Sequence, residues 1–134
     1  MNDFVDLKNN VLAGRSISPQ SVSGTVNGAG VNCATGGAEV VVSILVGTVA
    51  SGATGTITIE SSLNDNTGDA GAAADAYAQI GDSTAISGSD ANSLIRVRCS
   101  LRNEKYVRVK AVTSDAILLS AMVESPKHIV GTVQ

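Results

Sequence analysis

Apolar and polar residues alternate over several short stretches of this chain, and helical periodicity is hard to find. In Gly55–Leu63 the residues Ile57, Ile59, Ser61 and Leu63 fall on one side, and Thr56, Thr58, Glu60 and Ser62 on the other, the pattern of a strand with one buried face. Ile117, Leu119, Ala121 and Val123 repeat that spacing. Val40–Val46 is apolar on both faces, which predicts a central strand or one covered by a neighbouring subunit. Further strands are predicted near Ser21–Asn27, Leu94–Leu101, Lys105–Thr113 and His128–Val133. Glycine-containing segments separate them and supply the positive φ that tight turns need. The one helical candidate is the Ala-rich stretch Ala72–Ile80, an irregular excursion being the alternative. Many short strands with frequent turns predict an all-β fold, an antiparallel sandwich or a barrel, with at most one short helix.

Residues 1–20 are polar and weakly patterned and read as an N-terminal arm, either a loose terminus or a segment that orders on a partner. Residues 21–134 then form a single domain, since 134 residues leave no room for a second. Gly-Thr-Val recurs at Gly24, Gly47 and Gly131 without a fixed period, so no repeat architecture is indicated. The start lacks the basic-then-apolar profile of a signal peptide. The longest apolar run is far short of the roughly 20 residues a membrane helix requires, so no membrane partner is expected. Cys33 and Cys99 permit one disulfide or two separate thiols, and no Asn-x-Ser/Thr acceptor occurs.

A formal net charge of -3 argues against a general nucleic-acid binder, whose affinity comes from neutralising phosphates. Yet six of the nine basic residues crowd into Leu94–Val112. There Ile95, Val97, Cys99 and Leu101 share one face, and Arg96, Arg98 and Ser100 the other; beyond a turn, Val107, Val109 and Ala111 oppose Tyr106, Arg108, Lys110 and Val112. Read as a hairpin, two registers match apolar with apolar. One sets Arg98 opposite Lys110, the other sets Arg98 opposite Arg108 and Arg96 opposite Lys110. Both bring like charges together, which is mildly unfavourable. The cationic face formed by Arg96, Arg98, Arg108 and Lys110 is therefore either a solvated outer surface or a docking patch for an acidic partner.

Catalytic chemistry finds little support. His128 is the only histidine, no cysteine pair has ligand spacing, and no serine sits in Gly-x-Ser-x-Gly, so neither a zinc site nor a triad is expected. Asp65, Thr67 and Asp69 faintly resemble a calcium loop, but Ala70 and Ala76 stand where its glycine and glutamate belong. The Gly-rich segments lack a following Gly-Lys-Ser/Thr. Three aromatic residues make a poor platform for sugar rings. No enzyme and no cofactor are expected.

The order Val40–Asn66, then an acidic Ala/Gly segment, then Leu94–His128, resembles the small β-sandwich decoration, or cement, proteins of tailed bacteriophage capsids. The most recognisable element is Glu104–Val112, similar to that family's Arg-Tyr-Val-Arg hairpin with Lys105 in place of the arginine; Tyr106, Val107, Arg108 and Val109 match. The resemblance spans Val40 to His128 and leaves the first thirty residues unmatched. It implies a jelly-roll-like sandwich, a homotrimer, and attachment to the major capsid protein on the outside of a virion assembled in a bacterial cytoplasm. It implies no catalytic residues. The alternative is a glycan- or receptor-binding module of a phage tail or cell-surface assembly, with Tyr77 or Tyr106 at the contact.

Overall fold

A 21-residue strand runs the length of the molecule and every long strand except one pairs with it. The computed structural model describes residues 11–33, 39–63 and 77–126. Its strands in chain order are β1 (Val11–Asn27), β2 (Val31–Asn32), β3 (Glu39–Val49), β4 (Gly55–Ser62), β5 (Ala78–Gln79), β6 (Thr84–Ile86), β7 (Ser93–Ser100) and β8 (Tyr106–Pro126). The first half of β8 pairs with β4, from Tyr106↔Ser62 to Thr113↔Gly55, and its second half pairs with β3, from Ile117↔Val49 to Glu124↔Val41. β1 follows the opposite edge of β8 over its whole length. β7 joins the far side of β3, while β5 and β6 join the far side of β4. β2 pairs with the start of β8, at Val107 and Tyr106, and all pairing is antiparallel, giving two curled layers that share β1 and β8: a jelly-roll-like β-sandwich.

The sequence pattern explains which side faces in. Ile57, Ile59 and Ser61 of β4, Val40, Val42, Ile44 and Val46 of β3, and Val107, Val109, Ala111, Ile117, Leu119, Ala121 and Val123 of β8 are all buried in one cluster. β3 is central, between β8 and β7, as its composition predicts. Leu63 departs from the pattern. It lies just past the end of β4 and is exposed, because the strand that would hold it against the core has stopped.

Thr113–Ala116 reads as a turn between two strands, but the chain passes through it as one bent strand. The turn between β3 and β4 supplies the missing partners there: Ala50 N–H donates to the Ala116 carbonyl at 2.9 Å, and Ser114 N–H donates to the Thr54 carbonyl at 2.8 Å. On the other edge, buried Thr113 Oγ1 donates to the Val22 carbonyl and accepts from Gly24 N–H. Gly24 has φ +98, a conformation that β-branched neighbours would resist, and β1 shifts register between Val22 and Gly24. With these bonds holding the corner on both edges, β8 changes layers without ending.

Several expectations change. β1 begins at Val11, so residues 11–20 of the expected arm are strand, held by pairing with Met122–Pro126 and by burial of Ser16 and Ile17. Residues 1–10, the His128–Val133 strand and the Asp65–Asp69 loop lie outside the described residues. Within the helical candidate, Ala78–Gln79 is a short strand; the described helical structure is a single 3-10 turn at Gly88–Asp90. Cys33 and Cys99 are separate buried thiols.

Candidate protein-docking face

The expected hairpin between Leu94–Leu101 and Lys105–Thr113 does not form. β7 pairs with β3 and the first half of β8 pairs with β4, so the two basic strands belong to different layers. Between them Leu101 turns inward and is buried. Lys105 is bound on both sides: its N–H donates to the Ser62 carbonyl, and its own carbonyl accepts from Cys33 N–H. The Glu104 carboxylate accepts from Arg102 and Asn103 N–H, closing the arch. Backbone N–H groups of Glu104, Arg102 and Asn103, together with the Arg102 charge, hold that carboxyl below its usual range.

Charge favours the arch. Either hairpin register sets cation against cation, whereas here Arg108 faces Glu60, Lys110 faces Thr58 and Asn27, Arg96 faces Ser43, and Arg98 faces Val41 with Glu39 close by. Alternation alone could not separate the two arrangements, since hairpin and arch bury the same parity.

The four cations of the predicted patch therefore have different fates. Arg108 Nε donates to Glu60 Oε1 at 2.8 Å, and its guanidinium carbon lies 4.0 Å from the centre of the Tyr77 ring. It is an interior clamp, not a free surface. Lys110 is half-buried on the same layer. Arg96 and Arg98 lie on the outer face of the other layer, where Arg98 pairs with Glu39 while remaining 74% exposed, a geometry that contributes little to stability.

That outer face has features the charge pattern did not reveal. Register places Arg96, Ser43, Met122 and Arg15 in one row across β7, β3, β8 and β1. The next row holds Leu94, Leu45 and Ser120, and Leu118 lies over Gly47 beyond it. Leu45 is 56% exposed, Leu94 50%, Met122 43% and Leu118 42%, so four of the six exposed large apolar side chains among the described residues share this face. A shallow groove of about 420 Å³ follows Pro19, Leu45, Leu94 and Met122, and Arg15, Arg96 and Glu124 also line it. The signal was present in the sequence as apolar residues at outward positions of otherwise alternating strands, Leu45 in β3 and Leu118 and Met122 in β8.

An apolar centre with an arginine rim is the make-up of a protein-binding surface, because apolar area drives association and the rim fixes orientation. Among the described residues no group of three His, Cys, Asp or Glu is arranged for a metal, and no helix is long and apolar enough to cross a membrane. His128 lies outside the described residues. Tyr77 is half-buried and stacked with Arg108, and Tyr106 is half-buried, opposite Ser62 and Asn32 in the sheet.

No protein-family model matches the chain, and no curated protein sequence matches it. Among solved structures, the CBM22-1 xylan-binding domain of Paenibacillus barcinonensis Xyn10C superposes with a TM-score of 0.44 at 12% identity, over 87% of this chain and 83% of that one. A chain in the structure of infectious bursal disease virus Gx strain gives 0.43 at 13%, over 91% of this chain and 32% of that one. The C-terminal family 22 carbohydrate binding module of Clostridium thermocellum Xyn10B gives 0.41 at 14%, over 94% and 89%. Likeness at this level says nothing of ligand or partner.

Proposed function

We propose that this chain is a non-enzymatic structural protein that attaches to the outside of a viral shell through protein–protein contacts, as a decoration protein does. The apolar centre of the outer face, Leu45, Leu94 and Met122 between Arg15 and Arg96, carries this reading. The proposed partner is the major capsid protein, the proposed location the surface of a phage virion, and the proposed unit a homo-oligomer, a trimer by the resemblance. No cofactor takes part. Fully burying an exposed leucine is worth about 1.5–3 kcal/mol, and Leu45 and Leu94 are already half covered, so each adds roughly half of that to a matched site. Of the basic patch, Arg96 and Arg98 remain as contact residues; Arg108 and Lys110 sit on the other layer.

The test is co-sedimentation of purified protein with undecorated capsids. Wild-type protein is expected to bind, and Leu45→Asp with Leu94→Asp to remain in the supernatant while unfolding normally. Wild-type binding that both substitutions leave intact would remove this face from the reading.

A further inference from the structure

The unpaired edge of β7 is a second feature of the same layer. β7 matches β3 residue for residue, from Ser93↔Val46 to Ser100↔Glu39, with no register shift. Among the described residues no strand pairs with its other side. A row of backbone N–H and C=O groups therefore faces outward over eight residues, roughly 26 Å of template at strand rise. Proline, glycine and bulges, three of the devices that blunt an edge, are missing here, and charge on Arg96 and Arg98 is the one present. β7 contains no proline, glycine or bulge, whereas β1, the other long outer strand, carries Pro19, Gly14 and Gly24 and three register shifts.

Side chains decide what fits. The outward face of β7 presents Leu94, Arg96 and Arg98. A second copy of β7 laid antiparallel against it, outward face to outward face, has two registers of greatest overlap. One sets Arg96 against Arg96 and the other sets Arg96 against Arg98, and like charges directly opposite destabilise a pair. The edge thus resists its own copy. A strand with carboxylates at alternate positions meets Arg96, which has no ion pair among the described residues, and Arg98, whose exposed pair with Glu39 it would share; an apolar residue two further along meets Leu94, which neighbours the exposed Leu45.

We propose that β7 is a strand-addition site, which takes an extended, acidic segment of the protein to which this chain docks, with alternate carboxylates opposite Arg96 and Arg98. This rests on the docking reading above and deepens it: backbone hydrogen bonds along β7 supply affinity, and the arginines and Leu94 set register.

Hydrogen exchange on the full-length protein, alone and bound to undecorated capsids, tests it. Amides of Ser93–Ser100 that point away from β3 are expected to exchange fast in the free protein and roughly tenfold or more slowly in the complex. Arg96→Glu, at a position that faces Ser43 and has no ion pair among the described residues, is expected to weaken binding and leave the unfolding midpoint in place. Binding with no gain of protection in β7 overturns strand addition and leaves docking by the apolar face standing. Protection already present in the free protein, rising with its concentration, assigns the edge to a second copy and also overturns it. Failure of the wild-type protein to bind capsids removes the docking reading itself.

Discussion

Arg108 and Glu60 form an ion pair 2.8 Å long with side chains only 11% and 13% exposed, capped by the ring of Tyr77. Two opposed charges from neighbouring strands are thereby withdrawn from the surface. Such a pair gains little over an apolar substitute, but removing one member leaves the other buried and unpaired. Arg108→Met is expected to cost about 3 kcal/mol, and Arg108→Met with Glu60→Leu to return to within about 1 kcal/mol of wild type. Urea unfolding measures both. Equal losses in the single and double variants would show that the clamp's charges do not depend on one another.

The strands and their inward faces were legible because period-two alternation ties burial to parity: Ile57 with Ile59, Val107 with Val109, and Leu119 with Ala121 all lie where the sequence puts them. Pairing was not legible. Arg98 and Arg108 sit ten residues apart on either side of a short connection, and nothing local distinguishes a hairpin from an arch between layers. The decisive facts are long-range, Glu39 waiting beside Arg98 and Glu60 beside Arg108. The corner at Thr113–Ala116 was hidden for the same reason, since its hydrogen-bond partners come from Thr54 and Ala50, some sixty residues earlier. The proposed docking face is half legible: charge singles out Arg96, while Leu94, Leu45 and Met122 read as ordinary strand residues until register places them in adjacent rows.

Gly28 marks a close approach between layers. Its N–H donates to the Val109 carbonyl at 2.8 Å, while Ser16 Oγ donates to the Ala29 carbonyl and accepts from Val109 N–H. A Cβ at Gly28 would meet Ser16 Oγ and lie 2.7 Å from the Ser16 carbonyl oxygen and 2.8 Å from that of Val109. Two of those atoms are backbone and cannot swing aside. Gly28→Ala is expected to destabilise by about 1–3 kcal/mol, the range for forcing a methyl into a filled space. Gly88→Ala, which meets nothing within 4 Å, is the control and should change the unfolding midpoint little.

Burial pushes the Cys33 thiol up to about 11 and raises that of Cys99. At pH 8 both are expected to resist a thiol reagent in the folded protein and to react fully in urea, because the thiolate is the nucleophile. The sign of the linkage follows. The unfolded chain loses the Cys33 proton near the free-thiol value of about 8.5, and the folded chain keeps it to about 11. Stability from this group is complete below the unfolded value and falls as pH rises through that window. Unfolding measured at pH 7, 9 and 10.5 should show a shallower decline in Cys33→Ala than in wild type. Parallel declines would mean that the thiol does not titrate differently in the two states.

The outer apolar face separates folding from attachment. Leu45, Leu94 and Met122 project from strands whose opposite sides already fill the core, so replacing them removes little buried area, and exposed positions of that kind usually shift stability by no more than about 0.5 kcal/mol. Leu45→Gln with Leu94→Gln is therefore expected to unfold at the wild-type urea midpoint, to be more soluble, and to lose capsid binding. The arginine rim acts at longer range and through solvent. Raising salt from about 0.05 to 0.5 M shortens the screening length to a few ångströms, which should slow the association of wild-type protein while leaving its dissociation rate nearly unchanged. Surface plasmon resonance on immobilised capsids resolves the two rates. A salt effect confined to dissociation would place Arg15 and Arg96 in buried pairs with the partner instead of at its margin.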